Sequence, residues 1–349
     1  MKKFIFLLEV LAILFLFAAC GLSGGPEETN PATAEVISET MAAAEYYPVT
    51  FMDHAGREVL IEKEPQKIVS CYYITSSLLI SLDLDEKMVG IEDHPDYRPI
   101  YGLSAPHLLE LPWVGTAKVL DVEGCAALEP DLVILPLRLK DSAQILENLG
   151  IDVLLVNPES QDLLVEMIQM VGTATNTRKT ADSLIAFLEE QEKALMDHLS
   201  DIDPSGVYLA GNSSVLSTAG DAMYQSDMIR LAGGRNVAAE IPDTYWAEID
   251  YEQLLAWDPD YIILASSAKY TVEDVLNDPN LAACNAVVNG NVYQIPSDAE
   301  SWDSPVPGSI LGAVWLANVL HPDQFTDTDC TVIMDTYYET FYDFTYSKK

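Results

Sequence analysis

Positive charge is what this chain lacks most. Only 18 of its 349 residues are Lys or Arg against 55 Asp or Glu, for a formal net charge of -37. Such a surface repels nucleic acid and anionic lipid headgroups and favours solubility. No Gly-rich phosphate loop stands beside a strand, which together with the charge counts against a nucleotide site. No G-x-S-x-G elbow occurs and the acids are widely spread, so a hydrolase has no visible machinery. Cysteine is sparse too. Of five, Cys71, Cys125, Cys284 and Cys330 lack metal-site spacing and read as buried thiols rather than a disulfide framework. The five histidines, His54, His94, His107, His198 and His321, are scattered, whereas a bare Zn or Mn site needs convergent His and carboxylates. Beyond the first residues, no run approaches the ~20 apolar residues that span a bilayer.

The first residues, "MKKFIFLLEVLAILFLFAACGLSGG", place two lysines, an apolar run and small residues ahead of Cys20. Residues 1–19 read as a secretory signal rather than a fold element. A cysteine after "FAA" and before Gly21 resembles a lipobox, which implies cleavage and lipidation at Cys20. Phe17 stands where Leu is commonest, and Glu9 interrupts the apolar run. Residues 20–46 are small, polar and acidic, the composition of a flexible tether.

One piece of the chain occurs twice. "LDVEGCAALEPDLVIL" at 120–135 returns as "IDYEQLLAWDPDYIIL" at 249–264, identical at seven of sixteen gapless positions. Each copy predicts a helix, a tight turn and a strand. Asp121 and Asp250 suit N-caps, because a carboxylate accepts hydrogen bonds from unpaired first-turn amides. Glu123 and Glu252 fall in that first turn, where the helix dipole favours negative charge. Pro130 and Pro259 stop the helices, and "DLVIL" and "DYIIL" are short apolar runs suited to buried strands.

Around these copies helix and strand patterns alternate, which predicts an α/β fold with mainly parallel sheets. Residues 47–176 form a first lobe, in which Gly56 marks a turn between two short strands. Residues 177–201 carry Ala181, Leu184, Ile185, Leu188, Leu195 and Leu199 near one face, the pattern of one long amphipathic helix. Residues 202–349 form a second lobe. A single helix joining two lobes leaves little room for hinge movement.

The order of "VTFMDHAGREVLIEKEPQKIVS", "LISLDLDEKMVGIEDHPDY", the two "PD" units, "AGGRNVA", "NGNVYQIP" and "WDSPVPGSILGAVWLANVLHPDQF" resembles substrate-binding proteins of ABC importers of the iron-chelate and cobalamin type. The resemblance spans nearly all of residues 48–330. It implies two α/β lobes joined by a backbone helix, a ligand cleft between them, no catalysis and no permanently bound cofactor. It also implies partners: a permease dimer with its ATPase, engaged by one exposed acid per lobe. Glu123 and Glu252 occupy those places, and one acid on each of two similar lobes suits docking on a symmetric partner. The implied location is extracytoplasmic, with lipid at Cys20 holding the protein to the outer face of the cytoplasmic membrane.

Loops at strand ends supply candidate cleft residues. In the first lobe these are Tyr72, Tyr73 and Ser76, then His94 and Tyr97, then Thr116 with Lys118. The second lobe offers Met223, Tyr224, Tyr245, Trp246, Trp302 and Asp303. Trp246 leads by resemblance, since some relatives place a ligand-contacting Trp at this distance before the acid. Aromatic faces suit a large, flat chelate, burying much area with few rotatable bonds. Arg98 and Arg138 are the first-lobe candidates for an anionic group, and "SPVPGS" lacks the Arg some relatives carry after "SP". A neutral or weakly charged cargo is therefore expected, such as a hydroxamate-type ferric siderophore or a corrinoid. Thr116 stands where haem-binding relatives often have an axial Tyr, which demotes haem. Bare metal remains a further alternative, and a sensory or adhesive lipoprotein is the reading from a different class.

Overall fold

In the computed structural model, residues 46–242 and 246–349 are described. Cys20, the signal segment and Tyr245 lie outside them. The described chain opens with an antiparallel hairpin, Val49–Met52 on Glu58–Ile61, turned at Gly56, whose φ of +69° suits a residue without Cβ. The first lobe is then a four-stranded parallel sheet in the order Met88–Gly90, Ile68–Ser70, Leu132–Pro136, Asp152–Val156. Leu132–Pro136 is buried at every position, as expected of an inner parallel strand covered on both faces.

The second lobe has its own six-stranded sheet. Ser205–Ala210 pairs in parallel with Tyr261–Leu264 and Gly234–Asn236, and Tyr261–Leu264 pairs in parallel with Val292–Gln294. Two short strands, Ser217–Thr218 and Ala247–Glu248, extend it antiparallel. The described residues are thus α/β, with one main sheet in each lobe and two further two-stranded sheets, the opening hairpin and Gly115–Thr116 on Val119–Leu120.

Between the sheets in sequence runs the helix Arg178–Leu199. Its buried residues are Ala181, Leu184, Ile185, Leu188, Leu195 and Leu199, so the apolar stripe faces protein along its length. Each buried leucine contributes about 1.5–3 kcal/mol. The helix packs on Gln161–Ala174 and on Ile310–Leu320, and so touches material from both halves of the chain. No helix among the described residues is long and apolar enough to cross a membrane.

The repeated piece does the same structural job twice. Asp121 Oδ1 accepts from Gly124 N at 3.0 Å and Asp250 Oδ1 from Gln253 N at 2.8 Å, capping the helices Val122–Ala127 and Tyr251–Trp257. Glu129 and Asp258 then take left-handed φ values of 51° and 43° ahead of their prolines, ending each helix. Asp131 and Asp260 follow, and each amide donates to a neighbouring segment, to Lys67 O and Gly206 O, both at 2.8 Å. Each carboxylate also accepts from backbone amides there, Asp131 from Gln66 and Lys67 and Asp260 from Gly206. The Asp after Pro therefore sets the strand beside its neighbour.

The C-terminal residues return to the first lobe. Tyr342 O accepts from Ser104 Oγ at 2.7 Å, and Tyr342 Oη lies 2.8 Å from Ser77 Oγ. Cys71, Cys125, Cys284 and Cys330 are buried thiols. Burial pushes the Cys125 thiol up to about 11 and raises those of Cys71 and Cys284.

Candidate ligand cleft

Parallel strands deliver their following loops to one edge of a sheet. In the first lobe, Tyr72 and Tyr73 follow Ile68–Ser70, Arg138 follows Leu132–Pro136, and Glu159 follows Asp152–Val156. In the second, Asn212 follows Ser205–Ala210, Ser266 and Ser267 follow Tyr261–Leu264, and Ser301 with Asp303 follows Val292–Gln294. All of these line one cavity of about 370 Å³, together with Arg98, Met223, Gln225 and Trp246. A smaller cavity of about 180 Å³ shares Tyr73, Arg98, Ser267 and Ser301 with it and extends past Tyr97 to Glu300.

Aromatic walls face this space from both lobes. Tyr72 and Tyr73 meet edge to face with ring centroids 5.5 Å apart, and the Arg98 guanidinium lies 3.8 Å from the Tyr73 centroid. That stacking holds a cation against an aromatic face while leaving its N–H edges available. Across the cavity, Trp246 packs over Gly211, where a Cβ would fall 2.7 Å from the indole ring. Neither Arg98 nor Arg138 forms an ion pair among the described residues.

The second-lobe wall is held by Asp303. Its Oδ1 accepts from Ser266 Oγ at 2.6 Å and its Oδ2 from Ser266 N at 2.9 Å, while its backbone carbonyl accepts from Gln225 Nε2 at 2.7 Å. Burial raises the Asp303 carboxyl above the usual range, and the Ser266 bonds oppose that shift.

Of the residues singled out in the sequence, Tyr72, Tyr73, Met223, Trp246 and Asp303 are brought together on this cavity. Tyr97 lines the smaller one, and His94 stacks on it with centroids 4.9 Å apart, on an exposed rim. Thr116 is exposed, its Oγ1 accepting from Lys118 N and Val119 N, and the neighbouring Ala117 reaches the cavity instead. Ser76, Tyr224 and Trp302 are not brought to the cavity wall, because each is turned into protein. Ser76 Oγ donates to buried Glu92 at 2.6 Å, Tyr224 is 2% exposed, and Trp302 Nε1 donates to Tyr338 Oη at 2.9 Å inside the core. Glu123 and Glu252 are both exposed, one on each lobe. Sequence reasoning missed Glu159, Asn212, Gln225, Ser266 and Ser267. Their position just past parallel strands was a usable signal for all but Gln225, which is buried on a helix.

Two α/β lobes with strand-end loops converging on a shared cleft can hold a solute between them. The family model described as "Periplasmic binding protein" matches residues 68–299, and the chain belongs to that family. Among curated relatives, the molybdate-binding protein MolA of Haemophilus influenzae is 25% identical, covering 84% of this chain and 88% of its own. The ABC transporter substrate-binding lipoprotein YvrC of Bacillus subtilis is 26% identical over 91% and 97%. A cobalamin-binding protein of Halobacterium salinarum is 24% identical over 79% and 74%. Among solved structures, the molybdate-bound MolA superposes with a TM-score of 0.75, at 24% identity over 85% of this chain and 99% of that one. Helicobacter pylori CeuE with Ni(II) gives 0.76 at 21% identity, over 86% and 98%, a likeness of fold. The protein is an extracytoplasmic substrate-binding component of an ABC importer, working with a permease and an ATPase.

Proposed function

We propose that the cargo is a compact, weakly charged metal chelate, of which a ferric siderophore of the hydroxamate type is the leading case. The observation that carries this is the wall of mixed sign: Arg98 and Arg138 share one cavity with Glu159 and Asp303, flanked by Tyr72, Tyr73 and Trp246. Opposed charges roughly offset, so neither a bare cation nor a highly charged carboxylate chelate is favoured. The aromatic faces add apolar area for an organic ligand. A volume of about 370 Å³ sits low in the usual ~300–1,000 Å³ range for ligand sites, which suits a small chelate better than a corrinoid. A second reading, capture of a small oxyanion, draws on Arg98 and Arg138, which form no ion pair among the described residues, and on the relative named for molybdate.

In this reading lipid at Cys20 holds the protein to the outer face of the membrane, and the loaded lobes dock through Glu123 and Glu252. Titration of the folded domain with ferric hydroxamates, ferric catecholates, cobalamin, haemin and molybdate, read by tryptophan fluorescence and calorimetry, tests the cargo. Saturable submicromolar binding of a ferric chelate supports the proposal. Binding of cobalamin or molybdate alone would replace it.

A further inference from the structure

We infer that the smaller cavity is a subsite for a carboxylate-bearing arm of the cargo, held by Arg98 of the first lobe and by serine hydroxyls of the second. This deepens the chelate reading and rests on it. At about 180 Å³ the space falls below the ~300 Å³ at which whole-ligand sites usually begin, so it suits part of a molecule rather than all of one. It shares Tyr73, Arg98, Ser267 and Ser301 with the 370 Å³ cavity, so a molecule seated in the larger space can reach into the smaller. Arg98 is half-buried, with its guanidinium 3.8 Å from the Tyr73 centroid and no ion pair or side-chain hydrogen bond among the described residues. A guanidinium stacked by its face keeps its N–H edges for a planar acceptor, and a carboxylate matches that fork with two parallel bonds.

The second lobe supplies Ser267, just past Tyr261–Leu264, and Ser297 and Ser301, past Val292–Gln294. None of the three hydroxyls bonds to another described residue. Ser267 is exposed, and the half-buried Ser297 and Ser301 keep hydroxyls that are not sealed from solvent. Each can therefore donate to an oxygen that enters. Glu300 is the one acid on this wall, and it is spent on the protein itself: Oε1 accepts from Ser77 Oγ and Oε2 from Tyr338 Oη. Burial pushes its carboxyl up to about 7, so at about pH 6 it is largely protonated and adds little negative charge. An ammonium arm would meet Arg98 with no unpaired acid to offset it, whereas a carboxylate meets donors from both lobes. One carboxylate on an otherwise neutral ferric trihydroxamate keeps the cargo weakly charged.

The test compares, on the wild-type protein at about pH 6, three forms of one ferric trihydroxamate that differ only at a chain end, as carboxylate, methyl ester or ammonium. Sodium succinate and sodium molybdate serve as free anions. Calorimetry should show the carboxylate form binding about tenfold or more tighter than the ester, and the ammonium form weakest. In Arg98→Gln the carboxylate-to-ester ratio should fall towards one, with the circular dichroism spectrum unchanged. In the double variant Ser297→Ala, Ser301→Ala it should fall partway. The matched chelates need no variant, so the inference stays exposed to refutation even if these variants misfold. Equal affinity for carboxylate and ester, or tightest binding of the ammonium form, overturns the inference while leaving capture of the chelate intact. Succinate or molybdate binding as tightly as the carboxylate chelate would make Arg98 part of a free-anion site and overturns it as well. Binding of none of the three chelates overturns the inference, and if ferric catecholates also fail to bind, the chelate reading goes with it.

Discussion

Ser77 Oγ donates to Glu300 Oε1 at 2.5 Å, joining a first-lobe helix to a loop of the second lobe through a carboxylate that is 5% exposed. Tyr338 Oη donates to the other oxygen at 3.2 Å, and Tyr342 Oη shares Ser77. The cluster borders the smaller cavity, so the joint between the lobes adjoins the candidate cleft.

Burial pushes Glu300 from 4.5 up to about 7, with the Ser77 and Tyr338 bonds pulling the other way. A carboxyl whose folded value is raised binds a proton that the unfolded chain has released. Its stabilising contribution is therefore full below about 4.5 and is lost as pH rises through about 7. The stability of Glu300→Gln relative to wild type should improve by on the order of 3 kcal/mol between about pH 5 and pH 8. Urea unfolding of both proteins at each pH measures it, and a difference constant with pH would show that Glu300 does not titrate in that window.

Trp246 owes its position to the missing side chain at Gly211. Gly211→Ala places a Cβ 2.7 Å from the indole and should displace the ring, weakening ligand binding about as much as Trp246→Ala. Loss of an aromatic contact of this kind is worth roughly 0.5–1.5 kcal/mol beyond its buried area. Calorimetry with whichever probe binds wild type decides it. Unchanged affinity in both variants would make Trp246 a packing residue.

Charge reversal at Glu123 and Glu252 together should abolish stimulated ATP hydrolysis by the cognate transporter in vesicles. Ligand affinity should stay at the wild-type value, since both side chains are exposed and neither lines the cavity. A double variant that still stimulates the ATPase would rule out docking through these acids.

The two helix caps should be interchangeable in cost. Asp121→Ala and Asp250→Ala each remove one charge-assisted bond to a first-turn amide, so each should lower stability by about 0.5–2 kcal/mol. The sites share no partner, so the losses should add in the double variant. Thermal melts of the three proteins read this out, and a strongly non-additive double variant would mean that the repeats are coupled.

What the sequence determined by itself was local. Asp121 and Asp250 cap, Pro130 and Pro259 terminate, and the stripe from Ala181 to Leu199 buries one helix face, because capping, φ restriction and helical periodicity act within a few residues of chain. The loops after strands were legible for the same reason, which is how Tyr72, Tyr73 and Asp303 could be named, whereas Trp246 was named by resemblance. Tertiary structure decided which side chains meet. Ser76 sits one turn from Tyr72 yet turns inward to Glu92, Trp302 goes into the core to reach Tyr338, and Gln225 becomes a wall residue only because the Asp303 carbonyl arrives from 78 residues away. Those outcomes depend on how two sheets bring distant strand ends together, and no short-range pattern in the chain records that distance.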